Sequence, residues 1–204
     1  MLTLYYMPMA CSLAARIALL EAGLEAHYRK VDLASKRLED GSDFHAVNPK
    51  GRVATLQRED GGILTENIAI LLYIAAQAEP GRLAATSGEA RYTELEWLSF
   101  VATELHKQCL YPVFSPSSNE ALRAHGRSRI EPMLAVVESR LAASAFIAGE
   151  GFSVADAYLV WALLLARYAG AKLEPFPAVA EYLTRLCERP SVKEALRAER
   201  PPRA

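Results

Sequence analysis

The opening dozen residues constrain the fold more than any other stretch. Leu2-Thr3-Leu4-Tyr5-Tyr6 is short, aromatic and without a helical period, which predicts a β-strand. Pro8 stops that strand, since proline has no N–H to offer a ladder. Beyond it, Leu13, Ile17, Leu20 and Leu24 recur at intervals of four, three and four, the apolar stripe of an amphipathic helix. Cys11 therefore sits where a strand turns into a helix, with Ser12 a favourable helix-start residue. Unpaired N–H groups and the positive end of the helix dipole favour an anion at such a place. A thiolate is such an anion, and this setting lowers a cysteine pKa. The alternative is that Cys11 is a small buried apolar residue, a common fate of reduced cysteine. Position alone leaves both readings open.

Composition bounds what can surround this turn. The 204 residues suffice for one large domain or two modest ones. A hydrophobic content of 51% with 23% charged residues is that of an ordinary soluble protein. A formal net charge of -1 argues against nucleic acid as a partner, since phosphate binding needs a basic excess. Cys11, Cys109 and Cys187 are far apart and odd in number, with no Cys-x-x-Cys and no metal-ligand spacing. They predict no disulfide framework, no metal and a reducing cytoplasm. No basic segment followed by an apolar core opens the sequence, so no signal peptide is expected. The longest apolar run, residues 157–166, is too short to span a bilayer, so no membrane partner is expected.

Past Gly23, residues 26–33 alternate loosely, as a second strand does. A polar segment follows, then Phe44-His45-Ala46-Val47 and the stop signal Asn48-Pro49-Lys50-Gly51. Two short runs, residues 53–58 and 63–65, are joined through Asp60-Gly61-Gly62 and predict a hairpin. Glu66-Asn67 then leads into residues 68–75, apolar on nearly every side and so a buried helix. A small mixed sheet with a helix on each face accommodates this order.

The order and motifs resemble the thioredoxin-like N-terminal domain of the cytosolic glutathione transferases, the bacterial beta class in particular. Tyr5 through Ser12 is similar to that class's strand and Pro-x-Ala-Cys-Ser turn. Val31-Asp32-Leu33 with Lys36 resembles its second strand and the lysine after it. Asn48-Pro49-Lys50-Gly51-Arg52-Val53, followed by Leu64-Thr65-Glu66, resembles its glutathione-binding hairpin and acidic end. The fold class expected is α/β plus all-α: a thioredoxin-like domain with a mixed four-stranded sheet, then a helical bundle. The expected boundaries are 1–79 for the glutathione-binding domain, 80–88 for a linker marked by Pro80-Gly81 and small polar residues, and 89–204 for the helical domain.

In the second domain Tyr92, Leu95, Leu98, Val101, Ala102 and Leu105 line one face of a helix expected to end near Tyr111-Pro112. A break with Pro112 and Pro116 follows, then a helix over residues 120–143, kinked or interrupted at Pro132. Ser153 and Asp156 have the three-residue spacing of a capping box before an apolar run. That pair also resembles the family's N-capping box, so its reading is structural rather than catalytic. Residues 197–204 read as a loose tail.

The resemblance implies a set of site residues. Glutathione carries two carboxylates, an amine and a thiol. Glu66 is implied to pair with the amine, and Asn67 at the following helix start to donate to the γ-glutamyl carboxylate. Lys36 is implied to face the other carboxylate, and Ala10, beside the catalytic Cys11, belongs to the same ligand site. Val53 is implied to pair its backbone with the cysteinyl part. Ser99, His106 and Lys107 are implied to reach the site from the helical domain. Read from the residues alone, His106 is a packing or surface histidine, Lys36 a solvated lysine and Glu66-Asn67 an exposed helix start. Tyr5 and Tyr6 point to opposite sheet faces, so at most one approaches the site. Ser12 remains a candidate donor to the thiol, and His45 and His125 receive no role.

Four departures from the class stand out. Ala54 replaces a cis-proline, Ser99 an asparagine, Met9 a glycine, and Asn67 the usual serine or glycine. A non-proline cis bond costs roughly 2.5–4 kcal/mol, so the Val53–Ala54 bond is expected to be trans, with weaker glutathione binding. The activity implied is transfer of glutathione thiolate, glutathione being the co-substrate, to a small hydrophobic electrophile. Thiol–disulfide exchange through Cys11 accompanies it, in a homodimeric cytoplasmic enzyme of detoxification. The rival is a non-catalytic binding or regulatory protein whose ligand site has drifted.

Overall fold

The computed structural model of the chain describes residues 1–199. It divides into two compact units. The first joins Met1–Leu83 to the C-terminal segment from Pro190, and the second is Ala84–Arg189.

In the first unit, β1 (Leu2–Tyr6), α1 (Ser12–Ala22) and β2 (Ala26–Asp32) form a strand–helix–strand crossover, with β1 and β2 parallel. β3 (Arg37–Leu38), β4 (Thr55–Gln57) and β5 (Ile63–Thr65) complete a mixed sheet in the order β3-β2-β1-β4-β5. The fifth strand, beyond the four expected, is the two-residue β3. It lies in a polar stretch too short to show an alternating pattern. α2 (Asn67–Gln77) follows β5 and packs on α1. α1 is buried along nearly its whole length, Leu13, Ala14, Ile17 and Ala18 being fully inaccessible. It ends at Gly23, whose φ of 69° closes a left-handed cap with N–H bonds to the last turn. In α2 only Ile70, Leu71, Ile74 and Ala75 are buried, a one-sided face rather than burial all round.

Both N-terminal tyrosines are used in packing. Tyr5 joins Val31, Leu38 and Phe44 in a small core on one sheet face, and its hydroxyl donates to Gln57 Oε1 at 3.2 Å. Tyr6 meets Tyr28 edge-on, with the Arg16 guanidinium over both rings.

The chain's last described helix, α8 (Pro190–Glu199), belongs to the first unit and packs on α1. Sequence grouped it with the helical domain, because an amphipathic helix does not reveal which apolar face covers its own. Arg197–Glu199, expected in a loose tail, are its last turn, and Glu199 is buried. The remainder of that tail, residues 200–204, lies outside the described residues.

In the second unit, α3 (Gly88–Phe100) runs on into a wide π-helical stretch, Val101–Leu110, and then α4 (Tyr111–Phe114). The helical path passes Tyr111-Pro112 because Pro112 lies in the first turn of a new helical segment, where its missing N–H is not needed. α5 (Glu120–Leu141) carries Pro132 in its interior without interruption. At Gly126 a side chain would sit 2.6 Å from the Cys109 carbonyl, so glycine permits α5 to approach the π-helical stretch. α6 (Val154–Tyr168) is the centre of this unit, with Tyr158 and Trp161 among its largest buried side chains, and α7 (Pro177–Cys187) follows.

Candidate active site

The β1–α1 turn holds Cys11 as the residue preceding α1, with φ -59° and ψ -16° and 8% exposure. Its Sγ–H donates to the Val53 carbonyl at 3.4 Å, a bond only the thiol form makes. Ser12 is fully buried and donates to the Met7 carbonyl at 3.3 Å, so its proton serves the turn itself. Ala10 donates to Met7 and accepts from Leu13, which winds the chain into the helix.

Met9 takes φ 62°, the left-handed conformation natural to the glycine of the resembling class. Its N–H donates to Glu199 Oε2 at 2.9 Å, while Glu199 Oε1 accepts from Arg16 Nε at 2.9 Å. Both partners of this ion pair are buried. Burial pushes the Glu199 carboxyl up from the usual range, against the opposing pull of the Met9 N–H and of Arg16. Arg16 and Glu199 brace the turn, and sequence reading missed them. Their separation along the chain leaves no local signal.

The Val53–Ala54 peptide bond is cis, which overturns the trans expectation. That expectation weighed the intrinsic cost of the bond and left out the loop around it. Asn48, 2% exposed, donates to the Arg52 carbonyl at 2.8 Å and to Thr55 Oγ1 at 2.9 Å, clamping the chain on both sides of the bond. Thr55 Oγ1 also donates to Arg52 O, and Ala54 is buried. The Val53 carbonyl faces Cys11 Sγ.

Around this pair lie two further groups. Lys36, with φ 58°, ties its Nζ to the Gly51 carbonyl at 2.9 Å, securing the same loop. Glu66, at φ 72°, precedes the first turn of α2, and its carboxylate meets Lys50 Nζ at 2.6 Å on an exposed surface. Asn67 opens α2, and both polar atoms of its side-chain amide are buried without a hydrogen-bond partner. The first N–H groups of any helix also lack internal partners. The start of α2 therefore offers unsatisfied donors next to a carboxylate, suited to a ligand bearing both a carboxylate and an ammonium.

In the second unit, Ser99 is exposed on α3, and its carbonyl accepts from Thr103. His106 lies in the π-helical stretch, half-buried against α6. Its Nδ1 is 2.7 Å from the Tyr158 hydroxyl, and its ring stands edge-on to Trp161 at 4.6 Å. Burial, with help from the neighbouring Lys107 charge, pushes the imidazole down to about 3, so it is neutral at physiological pH. Lys107 is exposed, with its ammonium 4.9 Å from the Tyr111 ring centre. Tyr158 and Trp161 lie within the apolar run of residues 157–166, which carries no local sign of a contact with His106. Cys109 is buried, its thiol pushed up to about 11 by desolvation, which sets it apart from the Cys11 turn. Among the described residues no His, Cys, Asp and Glu group is arranged to hold a metal, and no helix is long and apolar enough to cross a membrane.

A parallel strand–helix–strand crossover, an antiparallel hairpin and a following helix, with a cysteine at the first turn, define a thioredoxin-like domain, here in a chain whose other unit is all-helical. Residues 1–76 match the model of the glutathione S-transferase N-terminal domain, and residues 120–185 that of the C-terminal domain. Glutathione S-transferase GstA of Escherichia coli O157:H7 is 42% identical over 198 residues, covering 96% of this chain and 98% of that protein. The solved beta class glutathione S-transferase of Sphingomonas chungbukensis has a TM-score of 0.91 at 39% identity, over 97% of this chain and 98% of its own. A sphingomonad glutathione S-transferase complexed with glutathione gives 0.89 at 40% identity, with the same coverage of 97% and 98%. The chain belongs to the glutathione S-transferase family. Its structural neighbours include the bacterial beta class.

Proposed function

We propose that the protein is a glutathione transferase of the beta type, with glutathione as co-substrate bound at the Cys11 turn, the Val53 loop and the start of α2. Glu66 receives the ligand's ammonium, exchanging Lys50 for it. Asn67 and the first N–H groups of α2 receive the γ-glutamyl carboxylate. Lys36 serves the other carboxylate, and the Val53 backbone pairs with the cysteinyl part beside Ala10. Ser99, His106 and Lys107 are the helical unit's proposed contributors to the activity, on the resemblance alone. The glutathione sulfur attacks a small hydrophobic electrophile. A sulfur–carbon bond forms, and a leaving group, where there is one, departs with its electron pair.

The same site supports thiol–disulfide exchange. The Cys11 thiolate attacks glutathione disulfide, one glutathione leaves as thiolate, and Cys11 is left as a mixed disulfide that a second thiol resolves. The observation that carries the proposal is Cys11 Sγ held 3.4 Å from the Val53 carbonyl in a family-matched first domain. The full-length relatives are named as enzymes, which favours catalysis over a drifted, non-catalytic scaffold. The proposal extends to a homodimer in the cytoplasm acting in detoxification, motivated by the resemblance and the cysteine usage.

Titration calorimetry with reduced glutathione tests the ligand. A dissociation constant between about 1 μM and 1 mM is expected, the usual span for enzyme substrates. Absence of binding heat at millimolar glutathione, across several temperatures, would end the proposal. With glutathione disulfide, Cys11→Ala is expected to abolish the mixed disulfide seen by intact-mass spectrometry. An undiminished rate would move the chemistry to Cys187 or Cys109. Sedimentation of the purified chain tests the dimer.

A further inference from the structure

The proposed function uses His106 but not the residue behind it. Tyr158 is 1% exposed, on the helix at the centre of the second unit, and its hydroxyl lies 2.7 Å from His106 Nδ1. The imidazole is also edge-on to Trp161 at 4.6 Å and to the Tyr158 ring at 6.1 Å, so its plane is held by contacts on α6. On its own element, the His106 carbonyl accepts from the Tyr111 N–H, the wide-turn bond of a π-helical stretch. Such stretches recur at functional positions.

Two arrangements of the proton between the rings are conceivable, and acidity separates them. A phenol, with pKa about 10, is a better donor than a neutral imidazole N–H, and an imidazole nitrogen is a far better base than a phenol oxygen. The O–H therefore points at Nδ1. In a neutral imidazole the other nitrogen then carries the hydrogen.

We infer that Tyr158 is a positioning residue which donates to His106 Nδ1 and so fixes the imidazole as its Nε2–H tautomer. The ring's single donor is thereby committed to an acceptor outside the Tyr158 pair. The ligand group it suits is an anion or a carbonyl, such as the thiolate or a carboxylate of glutathione. The opposite tautomer turns a lone pair towards that anion. This inference rests on the reading that His106 serves the transferase site. The tautomer itself can be measured without any activity.

The experiment is nitrogen-15 NMR of the histidine rings in the full chain, using two-bond proton correlations that distinguish the ring nitrogens. His106→Gln assigns the His106 signals among the 4 histidines. The wild type is expected to show protonated Nε2 and unprotonated Nδ1. In Tyr158→Phe both nitrogens are expected to shift towards tautomer averaging, with kcat/KM for conjugation down about tenfold, the size of one lost hydrogen bond. Protonated Nδ1 in the wild type overturns the inference, and needs no variant that might fail to fold. A folded Tyr158→Phe with an unchanged tautomer overturns it as well. A changed tautomer with unchanged kinetics leaves the tautomer assignment standing, overturns the positioning role of Tyr158 and removes His106 from the proposed catalytic site.

Discussion

Met9 occupies a backbone conformation that a side chain makes costly, by roughly 1–2 kcal/mol over glycine. The turn keeps it because the Met9 N–H is aimed at the buried Glu199 carboxylate. Met9→Gly relieves that cost and adds back about 0.5–1 kcal/mol of unfolded-chain entropy. A net gain of up to about 1.5 kcal/mol in urea denaturation is expected; a loss would show that the Met9 side chain packs better than its backbone strain suggests. His106 supplies a pH dependence. Its folded pKa of about 3 lies below the unfolded value near 6.5, so between these values the unfolded chain holds a proton that the native chain lacks. The His106 contribution is therefore intact above pH about 6.5 and is lost as pH falls towards 3, with a slope of at most about 1.4 kcal/mol per pH unit. Subtracting the pH–stability curve of His106→Phe from that of the wild type isolates this slope. A flat difference would mean that the imidazole protonates in the native state at its ordinary pKa.

At the scale of elements, the start of α6 is the clearest case of a local signal carrying a large consequence. Ser153 and Asp156 were legible as a capping box from their spacing alone, and both halves of it are present. The structure adds that Asp156 also accepts from the Ile147 N–H at 2.9 Å and the Tyr182 hydroxyl at 2.7 Å, linking α6 to the preceding loop and to α7. Burial raises the Asp156 carboxyl above the usual range, opposed by those donors. Ser153→Ala is expected to cost about 0.5–2 kcal/mol, the usual worth of a cap. Asp156→Ala should cost more, since buried donors left without an acceptor lose about 1–3 kcal/mol each. Equal melting temperatures for the two variants would show that the added bonds contribute nothing. The Val53 loop is the opposite case. Local preference predicted a trans bond before Ala54, whereas the bond is cis, in a loop tied by a buried asparagine several residues away.

For the whole molecule, the first unit is completed by a helix from the far end of the chain. A chain ending at Arg189 loses α8, uncovers α1 and leaves Arg16 buried without its carboxylate; breaking a buried pair in this way costs about 3–5 kcal/mol. Hydrogen exchange in α1 is expected to accelerate sharply in that truncated chain. Unchanged protection of α1 would show α8 to be dispensable. The origin of each feature follows from the range over which it is specified. β1, α1, the β4–β5 hairpin, the start of α6 and the position of Cys11 are legible locally, because periodicity, turn residues and caps act within a few residues of one another. That Glu199 holds Met9 and Arg16, that Asn48 ties the loop around Val53–Ala54, and that Tyr158 meets His106 emerges only once the chain is folded. Each of those is a contact between residues whose partners are chosen by packing, and packing energy depends on which apolar faces meet rather than on the order in which they are written.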